Sequence, residues 1–548
     1  MPSRSMSIYL LKEGFDGTGS LIEKHGLVRV EEADAVPATG ELWSAGIHQT
    51  TPWWQGYFGL PDQKQTATLG AILFLEVEER FFALTFGQTS SRLRDDSYEY
   101  DFGLRVSLNA VDPEKLKSTD TSEPGAGRRQ RTQTGADSAL TFFDFDSDSS
   151  VMKSITGKAK EVHEHLVRQV TGSTNLRVST LVNSEGLADL CSQLLELYLS
   201  DDYRTSFPAI DNLRPVKDPK LIDDLDCKID ISATDAGTFL MLPEVVEYNE
   251  DVYFRFAGAG SADLEGSLEI EALREQIARN GLPVPTAEDL RRMRVLVTDG
   301  NGDVKKSFGL YRCLNVEIMG DDSIVYILHD GAWFRARRSF VEEMQRAVDE
   351  VFRDTRLSAY NDAKEADYNS RVADGAVLVN LDRTNVAGAG RSQIEPADLL
   401  RVEDDFINLY HVKVSTRSSE LSHLFNQGLN SAELLLSETE AAARLQMVVD
   451  DRSGGAHPDI IPAIHDARFA VRYVIATRRP SLKGHLALPF FSQITLWRVI
   501  RAFKILRIPI SVEMIENVRP QKPAKPKERK ERSDKGSTRT KKVAPSSA

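Results

Sequence analysis

The sequence predicts a multidomain α/β (α+β) protein, on three observations. The chain has 548 residues, well beyond the roughly 250–300 at which a single hydrophobic core stops growing. Hydrophobic residues make up 41% of it and charged residues 27%, proportions ordinary for globular protein. Strand-like runs and helical periodicities alternate along the chain, and its last third reads helix, three strands, helix, strand, an α/β unit with its own core. The expected division is an N-terminal α/β region at 1–150, a middle α/β region at 151–335, an α/β domain at 336–518 and a tail at 519–548.

The elements follow in order. Ser7 to Lys12 is apolar enough for a strand. Ala71–Val77 and Arg80–Phe86 are apolar runs joined at Glu78-Glu79, the pattern of a hairpin. Lys115 to Ser138 is rich in Ser, Thr, Gly and Arg, and reads as a long mobile loop carrying Arg128, Arg129 and Arg131. Leu187–Leu199 has apolar residues at helical spacing. Ala272–Ala278 and Ala287–Met293 also read as helices. Asp299-Gly-Asn-Gly-Asp303 has alternating oxygen side chains, but Val304 and Leu310 replace the Gly and Glu of a calcium loop, so it reads as a hairpin turn. Ser339–Ala373 reads as helical with a break near Leu357. Strands are expected at Ala376–Leu381, Asp398–Val402 and Ile407–Val414, then a helix from about Ser419 to Leu436. A strand at Phe469–Thr477, a helix at Gln493–Leu506 and a strand at Ile508–Met514 complete the unit.

The net charge of −14 is unevenly spread. From Arg519 onward there are eleven Lys and Arg against three acids, a surplus of +8 that leaves −22 on the remainder. Such a tail cannot build a core; it either solubilises the chain or adds affinity for phosphates, through Lys525, Lys527, Arg529 and Lys530. No apolar run reaches the roughly 18–20 residues of a membrane helix. Cys191, Cys227 and Cys313 lie far apart without zinc spacing, so a reduced, cytoplasmic protein is expected.

The chemistry concentrates between Ile394 and Val414. Phosphodiester hydrolysis needs oxygen ligands for a divalent cation, a positioned water and an offset for phosphate charge. Asp398 suits the first task, and Glu395 is close enough in sequence to add a carboxylate. His411 and Lys413 are two apart on a strand and share a face; Lys413 suits charge stabilisation. An alternating polar strand is also what a solvated sheet face looks like.

Asp398…His411-Val-Lys413, in this helix–strand order, resembles the PD-(D/E)XK nuclease superfamily. The resemblance implies a restriction-endonuclease-like αβββαβ core at 336–518 and a magnesium or manganese site. Asp398 and His411 would be metal ligands, Lys413 would activate water, Glu365 or Glu343, with Glu365 preferred, would be donated by the preceding helix, and Gln427 would support the site. The departure is His411 where the superfamily has an acid, which suits magnesium less well. Pro52-Trp-Trp54, Phe82–Gly87, Asp101-Phe-Gly-Leu-Arg105, Leu421–Gln427 and Leu488–Ser492 resemble, besides, a sporadically distributed bacterial family of unknown function associated with mobile and defence gene sets.

Arg128, Arg129, Arg131, Ser419 and His423 join the tail as expected nucleic-acid contacts. Glu161-Val-His-Glu-His165 reads as surface, because histidines at i, i+2 separate on a helix. Trp53 and Trp54 read as packing rather than base stacking. The expected function is metal-dependent hydrolysis of DNA, favoured over RNA, in antiphage defence or mobile-element biology, with a protein trigger and no membrane. Two alternatives stand beside it: a non-catalytic nucleic-acid-binding or assembly protein on a decayed nuclease fold, and a sensor of a protein partner.

Overall fold

In the computed structural model the opening apolar run, Arg4–Leu10, sits inside a ten-stranded antiparallel sheet. Its strands run Leu27–Arg29, Gly40–Ala45, Ala71–Val77, Arg80–Phe86, Arg4–Leu10, Leu176–Thr180, Gln169–Gly172, Val151–Ala159, Val111–Glu123 and Arg128–Ser138. The structure describes residues 4–520 apart from 63, 124–127, 144–150, 181, 208–209, 211, 234–236, 247–251, 261–262, 301, 321–323, 376, 388–393 and 404. The sheet takes in strands on both sides of position 150, from Arg4–Leu10 to Leu176–Thr180. Helices Phe102–Ala110 and Leu187–Leu199 cover one face.

The segment read as a mobile loop is instead a long hairpin, with Glu123 opposite Arg128 and Asp120 opposite Arg131. Its polar residues follow a period of two at a sheet edge, and composition alone hides that period. The three arginines do not form one basic surface. Arg131 pairs with Asp120 at 2.9 Å, Arg128 is exposed, and Arg129 turns inward to the Pro243 carbonyl.

The Asp101–Arg105 motif has a packing role. Phe102 is fully buried, Asp101 accepts a hydrogen bond from the Tyr198 hydroxyl (2.9 Å), and Arg105 pairs with Asp201. Gly103 lets its helix lie on the strand that contains Gly172: a Cβ on Gly172 would stand 1.9 Å from the Gly103 carbonyl oxygen and 2.2 Å from Ser107 Oγ. Gly172→Ala is therefore expected to cost about 3 kcal/mol through overpacking. Gly135→Ala, with nothing within 4 Å of the added carbon, is the control. Urea midpoints that move equally for the two would refute this account.

The middle region holds a five-stranded antiparallel sheet that includes Leu314–Met319, Val325–His329 and Ala332–Ala336, and a three-stranded sheet of Tyr253–Ala257, Arg294–Thr298 and Val304–Gly309. Arg294–Thr298 and Val304–Gly309 pair antiparallel, the hairpin expected of the strands that flank Asp299 and Asp303.

The C-terminal unit is a six-stranded mixed sheet. Its elements are α1 (Arg338–Asp349), β1 (Phe352–Arg353), α2 (Glu365–Val372), β2 (Leu378–Asn380), β3 (Leu399–Glu403), β4 (Phe406–Lys413), α3 (Ser418–Ser437), α4 (Thr439–Ser453), α5 (Ile460–His465), β5 (Phe469–Thr477), α6 (Phe490–Leu506) and β6 (Ile510–Glu516). The strand order is β1-β6-β5-β4-β3-β2; β2–β3–β4 is an antiparallel meander, while β4, β5, β6 and β1 are parallel. The expected helix over Ser339–Ala373 is two helices, because Phe352 and Arg353 pair with β6; sheet pairing overrides local propensity. The large core between this sheet and α1, α3 and α6 also takes in Val325, Ile327, Phe334 and Ala336 of the middle sheet. Glu317 of that sheet caps α6, accepting from the Phe490 and Phe491 N–H groups at 2.7 Å each.

Candidate phosphodiesterase site at the edge of β4

Two main-chain N–H groups, one at the end of β4 and one just past it, organise the site. Val412 donates to Asp398 Oδ2 (2.7 Å), and Val414 donates to Glu365 Oε1 (2.9 Å). Groups two residues apart on a strand share an edge and lie about 7 Å apart. Asp398, just before β3, and Glu365, in the first turn of α2, are thus laid side by side. Lys413 stands between these anchor points, with Nζ 3.2 Å from Glu365 Oε1 and 3.9 Å from Glu420 Oε2. Gln427, on α3, donates to Glu395 Oε2 (3.3 Å).

The carboxylates crowd one another. Burial first, then Asp382, Glu395 and Glu365, push the Asp398 carboxyl up to about 7, against the opposing pull of the Val412 N–H. Burial and Asp382 also raise Glu395, while its bond from Gln427 lowers it. Asp382 is the member that sequence reasoning missed. Its only signal is its position directly after β2, and folding alone brings it near Asp398.

His411 lies elsewhere. It is 0% exposed, its ring packs beside Tyr473 (centroids 6.0 Å apart), and Nε2 is 3.5 Å from Ser431 Oγ. Nδ1 has no hydrogen-bond partner among the described residues. Burial pushes the imidazole down to about 4, so it is neutral at physiological pH. The expected ligand is a core histidine held between β4, β5 and α3; strand alternation does not reveal which side of a sheet is packed.

The acidic residues fit a magnesium or manganese ion completed by substrate. Magnesium uses one or two carboxylates and fills its octahedron with water and phosphate oxygens. Asp398 and Glu365 would supply that pair, and a cation beside them would favour the ionised Asp398 that burial and its acidic neighbours oppose. No three His, Cys, Asp or Glu side chains are grouped to hold an ion among the described residues.

A stability consequence follows. A carboxyl raised from 3.8 to about 7 binds its proton more tightly folded than unfolded. Its effect is to lower stability as pH rises from about 4 to about 7. Asp398→Asn keeps an acceptor for Val412 without the charge, so its melting temperature relative to the parent is expected to be higher at pH 8 than at pH 4. A difference independent of pH would refute the raised Asp398 pKa that burial and the neighbouring carboxylates produce.

Of the expected nucleic-acid contacts, His423 is exposed on α3 and Ser419 is in that helix's first turn, its side chain outside the described residues, as are those of Trp53 and Trp54. Lys525, Lys527, Arg529 and Lys530 also lie outside the described residues. No helix among the described residues is long and apolar enough to cross a membrane.

A family model described as a family of unknown function (DUF6119) matches residues 6–516. The chain belongs to this family. Glu365, Asp398, Lys413 and Gln427 all fall within the DUF6119 match, and the basic tail falls outside it. Comparison with curated proteins and with solved structures gives no match.

Proposed function

We propose that the C-terminal unit is a divalent-cation-dependent phosphodiesterase acting on DNA, with a restriction-endonuclease-like core. The observation that carries this reading is the placement of Asp398, Glu365 and Lys413 at the end of β4, two carboxylates held by the Val412 and Val414 N–H groups and the Lys413 ammonium against Glu365. The helix–meander–helix–strand order from α2 to β5 supports it. When bound, the cation would polarise the phosphate and lower the pKa of an attacking water. Asp398 and Glu365 would hold it, while Gln427 donates to Glu395 beside them. Lys413, whose ammonium lies against Glu365, would offset charge on the phosphate. With this reading we propose a role in antiphage defence or mobile-element biology, with the N-terminal and middle regions receiving a protein trigger.

A second reading, DNA binding without cleavage, is favoured by His411: the position that carries the superfamily's acid is sealed in the core. Labelled DNA incubated with the full chain and Mg²⁺ or Mn²⁺, with and without EDTA, separates them. Cation-dependent cleavage lost in Asp398→Ala and Lys413→Ala supports the first. Binding without cleavage supports the second, and cleavage retained in both variants removes the site.

A further inference from the structure

A second polar cluster lies at the junction of the first sheet and the middle sheet. Asp330 occupies, with Gly331, the turn between Val325–His329 and Ala332–Ala336, both residues at positive φ. Three cations converge on its one carboxylate. Lys153 Nζ, from the strand Val151–Ala159, is 3.2 Å from Oδ2; Arg129 Nη2, from the hairpin, is 3.8 Å from the same oxygen; Arg312 Nη2 is 3.3 Å from Oδ1. Among the described residues only Arg312 has a second acid, Asp95, 3.7 Å away at the more exposed rim. The side chains of Arg129, Lys153 and Asp330 are 9%, 10% and 11% exposed.

A latch between two sheets needs one cation for one carboxylate, and this one has three. Withdrawing an ion from water costs several kcal/mol unless it is paired. Arg129 Nη1 donates to the Pro243 carbonyl, but Nε and Nη2 are buried without a hydrogen-bond partner among the described residues. Nη2 faces the cluster, as its distance to Asp330 requires. Burial, reinforced by Arg129 and Arg312, pushes Lys153 down to about 8 although Asp330 pulls the other way; the three cations hold Asp330 down to about 2. Burial and the nearby cations keep His329 neutral; its Nδ1 is bonded to Asn315, and Nε2 has no partner among the described residues.

We propose that this junction is a binding site for a small phosphoryl-type oxyanion, held by Arg129, Lys153 and Arg312, with Asp330 ordering the cations. Domain junctions are common places for small-ligand sites, and the planar fork of arginine suits phosphate oxygens. The site is separate from the carboxylates at β4 and does not depend on their function.

The test is calorimetric titration of the full chain, in chloride buffer, with inorganic phosphate and with a nucleoside monophosphate. Saturable one-to-one binding is expected, weakened about tenfold or more by Arg129→Gln and by Lys153→Met, since a charged hydrogen bond contributes roughly 1.5–3 kcal/mol. Asp330→Asn, which removes the competing carboxylate, is expected to tighten it. Tighter binding of the nucleoside monophosphate identifies a phosphate ester as ligand, and binding of inorganic phosphate alone identifies the free anion; equal binding supports recognition of the phosphoryl group itself. Absence of saturable binding, or binding unchanged in both Arg129→Gln and Lys153→Met, overturns the proposal. If the variants do not fold, acetylation of Lys153 in the parent decides: protection by phosphate supports the site, and unchanged labelling rejects it.

Discussion

Asp398→Ala is expected to slow cation-dependent DNA cleavage by about 10²–10³-fold, the loss typical when one preorganised charge-stabilising group is removed. Lys413→Ala is expected to lose a similar factor. The structural cost of the first is small. It removes one hydrogen bond to the Val412 N–H, on the order of 1 kcal/mol, and at neutral pH it also removes a carboxylate that its neighbours oppose. Full folding with lost cleavage is therefore the signature, read by circular dichroism beside the cleavage assay. His411→Glu gives the opposite pattern. It places a carboxylate in a site whose polar neighbour is Ser431, so it is expected to lower the melting temperature without raising the rate. Faster cleavage by this variant would show that position 411 reaches the carboxylates, and that the packing of its ring has been misjudged.

Asp226→Ala is expected to destabilise the middle region by about 3–5 kcal/mol, the range for stripping one partner from a buried charged network. The Asp226 side chain is 8% exposed. Oδ1 accepts from the Tyr311 hydroxyl (2.7 Å) and from Trp333 Nε1 (2.8 Å), while Oδ2 pairs with Arg291, whose guanidinium lies 4.2 Å from the Tyr311 ring centre. Alanine leaves two buried donors and a cation without an acceptor. Asn keeps the Oδ1 acceptor and loses the ion pair, so it is expected to cost about 1–2 kcal/mol. Because a chain of several regions need not unfold in one step, the measurement is hydrogen exchange over residues 213–336. Equal protection in Ala and Asn variants would contradict the network.

Strands packed on both faces were the most legible part of the sequence. Phe469–Thr477 and the Ala71–Val77/Arg80–Phe86 hairpin stand where their apolar runs place them. The β3–β4 meander was legible too, and with it the approach of Asp398 and Lys413, because a short connection fixes register locally. The hairpin 111–138 was hidden, since an edge strand wetted on both sides has the composition of a loop. The orientation of His411 was hidden for a different reason: period-two alternation assigns residues to faces, while helix packing decides which face is dry. Asp382 and the three cations around Asp330 come from segments distant in sequence, and no local pattern announces them.

The Glu317 cap on α6 and the shared apolar core make the C-terminal unit non-portable. A fragment beginning at Arg337 would lose Val325, Ile327, Phe334 and Ala336 from its packing and leave the first turn of α6 without its acceptor. The middle sheet thus acts as a co-folding template, and gene fusions or truncations that treat the last third as a freestanding cassette would sever its core. Such wiring also gives a mechanical route: a ligand that shifts the middle sheet moves Glu317, and with it the N-terminus of a helix packed directly on α3, the helix that carries Gln427.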